Sequence, residues 1–219
     1  NIPEIKKYID MLKTMGYNSK WHTEDNVWEH TKNTVAQMKI RLDKDPSYNR
    51  YEKKIGILSA FFHDFGKAET GKKKENGDWS FPMHADVGGH LVRRILWDDD
   101  ITTRENICFI IKYHMHHISF QKGNLSLSDA ILIANGNITH KLFIDLAISD
   151  ILGSDRTFIE DYETYIHSFE EYLNLFKNKF MTQRERFNFF IGKKNESYEH
   201  EPINNFTVYL MCGISGSGK

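Results

Sequence analysis

The stretch Leu58–Lys67, LSAFFHDFGK, ends an apolar helical pattern on His63-Asp64 and runs at once into Gly66-Lys67. Histidine and aspartate are both good ligands for first-row divalent metals, and ionisable groups at the end of an apolar segment need polar partners. Working outward, the same side-chain types recur where helices are expected. His30 lies in Val27–Val35, VWEHTKNTV, and His84 follows Phe81-Pro82-Met83 so as to open a helix that continues through Val87–Val92, VGGHLV. His114 ends the run Cys108–His114, CFIIKYH. Asp150 falls in Leu142–Gly153, LFIDLAISDILG, a mostly apolar segment in which an unpaired charge is expensive. His90, His116, His117 and Asp145 compete for ligand roles, whereas His22, His140, His167 and His200 read as solvated surface.

Helical periodicity dominates from Ile5 to about Phe190. Val27, His30, Thr34, Val35 and Met38 recur at three- and four-residue spacing, as do Ile55, Leu58, Phe61 and Phe62, then Leu142, Leu146, Ile148 and Leu152. Residues 1–190 are therefore expected to form one all-α domain. The main break is Glu69 to Pro82, where Gly71, Asn76, Gly77 and Pro82 cluster with three lysines. Asp98–Asp100 is a polar turn before a helix expected to start under a Thr102 or Thr103 hydroxyl cap, and Asn135-Gly136-Asn137 marks a helix end. The aromatic stripe Phe158, Tyr162, Tyr165, Phe169 and Tyr172 reads as packing surface.

Beyond this domain, 191–205 is polar enough for a linker, and Phe206–Cys212, FTVYLMC, has the composition of a buried strand. Gly213–Lys219, GISGSGK, then satisfies GxxxxGK and lacks only the final Ser/Thr. In such a loop the backbone around Gly213, Gly216 and Gly218 cradles nucleotide phosphates, and Lys219 reaches the β/γ groups. Residues 206–219 are thus expected to begin a truncated P-loop domain, and the chain to be a fragment of a longer protein. ATP with magnesium would bind only the full-length protein.

Composition narrows the function classes. The 219 residues are 40% hydrophobic and 27% charged, as in a globular protein, and 29 basic against 30 acidic residues give no global basic field for nucleic acid. Nucleic-acid contact would have to be local, and Lys72–Lys74 is better read as a solvated loop. Cys108 and Cys212 lie far apart inside apolar runs, as reduced thiols do, and no stretch approaches a membrane span, so a cytoplasmic compartment without a membrane partner is expected.

In order along the chain, EHTKNTV, AFFHDFGK, FPMHADVGGHLV, IIKYHMHH and LAISDILG resemble the HD-domain metal phosphohydrolase superfamily over roughly Asn26 to Gly153. The resemblance implies a helical HD fold with His30, His63, Asp64 and Asp150 as core metal ligands, and His84 and His114 as a pair for a second metal. Imidazole and carboxylate together suit Mn, Fe, Co, Ni or Zn better than calcium. Asp64 would take a catalytic role by bridging two ions, and Lys67, one helical turn beyond His63, would pair with a substrate phosphate.

An HD domain followed by a P-loop domain resembles the HD-type bacterial and phage polynucleotide kinase-phosphatases. That resemblance implies removal of a 2′,3′-cyclic, 2′- or 3′-phosphate from RNA or DNA ends, next to an ATP-dependent 5′-OH kinase, leaving ends for a nucleic-acid ligase. Two other readings remain open at this point. One is a nucleotidase or cyclic-nucleotide phosphodiesterase acting on free nucleotides; the other is a catalytically silent, nucleic-acid-binding scaffold.

Overall fold

A computed structural model describes residues 2–16, 24–136, 138, 140–154 and 162–177, all within the compact unit Asn1–Lys179. The linker, the strand and the phosphate loop with Gly213, Gly216, Gly218 and Lys219 lie outside the described residues, as do His22, Phe158, His200 and Cys212. Apart from one short hairpin, the regular structure of the described residues is helical, in keeping with the all-α expectation. Its elements are α1 (Ile2–Lys13), α2 (Val27–Lys44), α3 (Arg50–Phe62), α4 (Lys67–Thr70), β1 (Lys72–Lys73), β2 (Trp79–Ser80), α5 (His84–Ile95), α6 (Ile101–Tyr113), α7 (His116–Gln121), α8 (Leu127–Ala134), α9 (His140–Gly153) and α10 (Tyr162–Asn174).

Local chemistry fixes where the helices begin. The Asn26 side chain accepts from the amides of Trp28 and Glu29, which starts α2. At α3, Asn49 accepts from the Glu52 amide while Glu52 reaches back to the Asn49 amide, a reciprocal capping box. Asp100, not a threonine hydroxyl, caps α6 by accepting from the Thr103 amide at 2.8 Å. The carboxylate of the polar turn is one residue before the helix and reaches its amides directly, which leaves the threonines inside the first turn. The Glu69–Pro82 break also holds more than loop, because Lys72 and Lys73 pair with Ser80 and Trp79 around a turn in which Gly77 takes φ +89°.

α9 is apolar on nearly all sides, and Leu142 through Ser149 are buried without interruption, as suits a central helix. α2 lies along it. Asn33, Met38 and Arg41 meet Gly153, Ser149 and Asp145 in that order, so the two helices run antiparallel. A side chain at Gly153 would come within 2.5 Å of the Thr34 hydroxyl, so glycine permits the close approach there. α3 packs on both α2 and α9 and also on α6, and α5 packs on α6. Met38, Leu42, Ile55, Ile107 and Leu142 are fully buried where these helices meet. Burial of each such side chain is worth roughly 1.5–3 kcal/mol.

Gly66 sets the approach of α5. Its φ of −62° is ordinary helical backbone, so the glycine is required for space and not for a left-handed turn. A Cβ there would lie 2.0 Å from the His84 carbonyl oxygen and 2.5 Å from the Gly88 amide nitrogen. The start of α5 therefore presses directly on the turn that carries His63-Asp64. Among the described residues no helix is long and apolar enough to cross a membrane.

Candidate metal centre

Five elements converge on one place. His30 sits on the buried face of α2, in register with Val27, Thr34 and Met38. His63 and Asp64 follow the end of α3, His84 opens α5, His114 follows the end of α6, and Asp150 lies late in α9. His30, His63 and Asp64 form one group that could hold a metal ion, and Asp64, His84 and His114 form a second. All six ligand candidates from the sequence are thus brought together, with Asp64 common to both groups. The ligand set suits a divalent cation.

Carboxylates dominate the first half of the site. Asp150 Oδ1 lies 2.7 Å from His30 Nε2 and 3.5 Å from His63 Nε2. Asp64 Oδ2 lies 3.3 Å from His63 Nε2 and 3.8 Å from His30 Nε2. Burial disfavours the charge on His63, but Asp64 and Asp150 outweigh it and push its pKa up to about 10. His30 moves upward for the same reason, with Asp150 and Glu24 overcoming burial. Burial opposes ionisation of the two carboxyls as well, yet the facing imidazoles, joined at Asp64 by Lys67, hold both well below the usual carboxylate range. His63 Nε2 is completely buried and makes no well-aligned hydrogen bond among the described residues.

The second half is built from neutral imidazoles. His84 Nε2 lies 3.3 Å from His114 Nε2 and 3.5 Å from Asp64 Oδ1. Burial, assisted by repulsion from His84 and His63, depresses His114 to about 3, and burial with the nearby Lys67 lowers His84. Both rings point Nδ1 at a backbone carbonyl, His84 at Phe81 O (3.0 Å) and His114 at Ile111 O (2.6 Å). A carbonyl oxygen can only accept, so each Nδ1 must carry the ring's single proton. The two Nε2 atoms then face each other 3.3 Å apart as bare lone pairs, with no proton to share. Two imidazoles bound to one ion at about 2.0–2.1 Å hold their nitrogens roughly 3.0–3.5 Å apart, so the pair has the spacing of two ligands on one cation.

The supporting contacts follow the same logic. His63 Nδ1 donates to Ala60 O at 2.8 Å, and His30 Nδ1 lies 3.2 Å from a Glu24 carboxylate oxygen. Each contact fixes the ring and turns Nε2 inward. Glu24 is not legible from the sequence, since it precedes α2 and has no periodic neighbour to mark it as buried. Lys67, expected to pair with a substrate phosphate, is buried within the site, with Nζ 2.6 Å from Asp64 Oδ2 and 5.3 Å from the centre of the Phe81 ring. A cleft of about 310 Å³ opens beside His84 and is lined also by Phe81, Met83, Asp86, Lys112 and His116.

The remaining candidates separate cleanly. Asp145 is held by Arg41 at 2.8 Å and by the Tyr48 hydroxyl at 2.5 Å, a structural link between α2, the loop before α3, and α9. His90 and His167 are exposed. His116 lines the cleft without joining either group, and His117 is buried against Tyr165. His140 corrects the sequence reading: it is buried, because the start of α9 is packed by α10. Cys108 is buried as expected, and burial pushes its thiol up to about 11. No protein-family model and no curated protein matches this sequence.

Proposed function

We propose that the chain is a metal-dependent phosphohydrolase of the HD type. More particularly, we take it for the phosphatase part of an end-healing polynucleotide kinase-phosphatase, releasing 2′,3′-cyclic, 2′- or 3′-phosphate from nucleic-acid ends. One observation carries the reading: Asp64 Oδ1 lies 3.5 Å from His84 Nε2, which is itself 3.3 Å from His114 Nε2, while Asp64 Oδ2 faces His63 and His30. A carboxylate whose two oxygens face different imidazoles would serve both groups of ligands if each held a cation. Bound transition-metal ions of the Mn, Ni, Co, Fe or Zn type would supply Lewis acidity to a phosphoryl oxygen and acidify a water.

The chain's own residues do the rest. Carbonyl and carboxylate contacts at the four Nδ1 atoms hold the imidazoles in the orientation a ligand needs. Lys67 neutralises part of the buried Asp64 charge and offers Nζ to a phosphate oxygen at the same place. The open cleft beside His84 leaves room for the sugar and base that carry the phosphate. The nucleic-acid end as substrate, the ATP-dependent 5′-OH kinase of a full-length protein and a ligase as partner rest on the resemblance and on the GISGSGK motif.

Metal-supplemented hydrolysis of an RNA oligonucleotide ending in 2′,3′-cyclic phosphate tests this, with Asp64→Ala as the control. Phosphate release by the parent chain and not by the variant is the expected result. Turnover of free nucleotides alone would replace the end-healing reading with a nucleotidase, and silence with every metal would leave a scaffold.

A further inference from the structure

His117 differs from the ligand histidines in one chemical respect. His63, His84 and His114 each point Nδ1 at a backbone carbonyl, and His30 points it at a carboxylate. Those acceptors hold a proton on Nδ1 and turn Nε2 toward the centre as the atom that a cation would take. His117 Nδ1 instead lies 2.7 Å from the Tyr165 hydroxyl, a group that can donate. Burial holds the Tyr165 phenol protonated and pushes His117 down to about 4, so a neutral phenol faces a neutral imidazole. A phenol is a better donor than acceptor, and its proton directed at Nδ1 places the ring's own proton on Nε2.

His117 Nε2 is buried, and it has no hydrogen-bond partner among the described residues. An orphaned buried N–H is unfavourable, and such atoms mark places where a ligand completes the bonding. The titratable groups that act on this ring are Asp150, from the centre itself, which favours its charged form, and His116, which opposes it. His117 also lies one turn beyond His114, at the start of α7, while Tyr165 anchors it from α10.

We infer that His117 is not a seventh ligand but a hydrogen-bond donor, with Nε2–H directed at a phosphoryl oxygen of the substrate and its tautomer set by Tyr165. The inference rests on the phosphohydrolase reading for the identity of the acceptor. It adds a third role to the site's chemistry, a neutral donor beside the ligands and Lys67. A neutral donor can stabilise charge gathering on the phosphoryl group without repelling cations nearby.

Two measurements decide it. Long-range ¹H–¹⁵N correlation spectra of the metal-free protein read each tautomer directly. His117 is expected as the Nε2–H form and His84 and His114 as Nδ1–H forms, and Tyr165→Phe should shift His117 alone. A His117 spectrum of the Nδ1–H or charged form in the wild type would overturn the inference. Inorganic phosphate binding to the metal-loaded protein is then compared for wild type, Tyr165→Phe and His117→Gln. His117→Gln should keep its full metal content and bind phosphate about tenfold more weakly, the loss of one hydrogen bond to a charged group. Loss of a metal in His117→Gln would make the residue a ligand, and unchanged phosphate affinity would make it structural; either result overturns the assignment. A wild type that takes up no metal at all would instead overturn the phosphohydrolase reading, while the tautomer spectra still report on His117 by itself.

Discussion

The two halves of the centre use the same side-chain types and reach opposite electrostatic states. In the half formed by His30, His63 and Asp150, carboxylates within 2.7–3.5 Å of imidazole nitrogens raise the pKa of both histidines, that of His63 to about 10. In the half formed by His84 and His114, the approaching carboxylate is Asp64, with Oδ1 at 3.5 Å, and burial wins, leaving neutral rings. The first half thus favours protonated imidazoles, with which a cation would have to compete. The second has its lone pairs ready and its rings already in place. One residue separates the two outcomes: Asp64 gives Oδ2 to the first half and Oδ1 to the second.

Removing the shared residue should give the largest effect. Asp64→Ala is expected to lose both ions and to lower phosphate-ester hydrolysis by at least about three orders of magnitude, since several kcal/mol of charge stabilisation disappears. Metal content by mass spectrometry and the hydrolysis rate check this together. Retention of one ion at full affinity would show that Asp64 is not common to the two halves.

Gly66→Ala attacks the seam between the halves. The new methyl would sit 2.0 Å from the His84 carbonyl, so α5 must move, with an expected loss of about 3 kcal/mol by urea unfolding. Since His84 opens α5, metal affinity should fall more at the imidazole half than at the carboxylate half. Unchanged stability and metal content in this variant would show that the seam does not depend on Gly66. His84→Ala should be milder, keeping the fold and the carboxylate half while lowering the metal count from two to one.

The smallest effect is the most specific to the comparison. His63, raised to about 10 from an ordinary 6.5, stabilises the metal-free fold fully below pH 6.5, and that contribution is lost as pH rises toward 10. His114, lowered to about 3, contributes stability that is present above pH 6.5 and lost as pH falls toward 3, and the lowered His84 and His117 act in the same sense. Urea midpoints of the metal-free protein should therefore be highest near neutral pH. His63→Gln should flatten the alkaline limb and His114→Gln the acid limb. If each substitution changed the other limb, the electrostatic contrast would be wrong.

Much of the centre is legible in the sequence because it consists of polar residues in apolar settings. His30 shares the periodic face of Val27, Thr34 and Met38, so its burial follows, and Asp150 is a charge in a mostly apolar helix, so a polar partner follows. His84 and His114 lie at a helix start and just past a helix end, where the pattern itself changes. What escapes depends on packing between distant elements. The burial of Lys67 follows from Asp64 and Phe81 closing around it, and that of His140 from α10 covering the start of α9. The Tyr165 contact that distinguishes His117 spans 48 positions, and the aromatic stripe to which Tyr165 belongs marks only a packing surface. Gly66 is visible as a glycine, but its role in letting α5 touch the His63-Asp64 turn depends on where both lie in space.

Manganese loading read by electron paramagnetic resonance tests the central claim most directly, because two Mn(II) ions bridged by one carboxylate are magnetically coupled. Two ions per chain with an exchange-coupled spectrum are predicted for the wild type, and one ion with an isolated six-line signal for His84→Ala. Two uncoupled ions in the wild type, or no tightly held manganese at all, would contradict the shared-carboxylate centre.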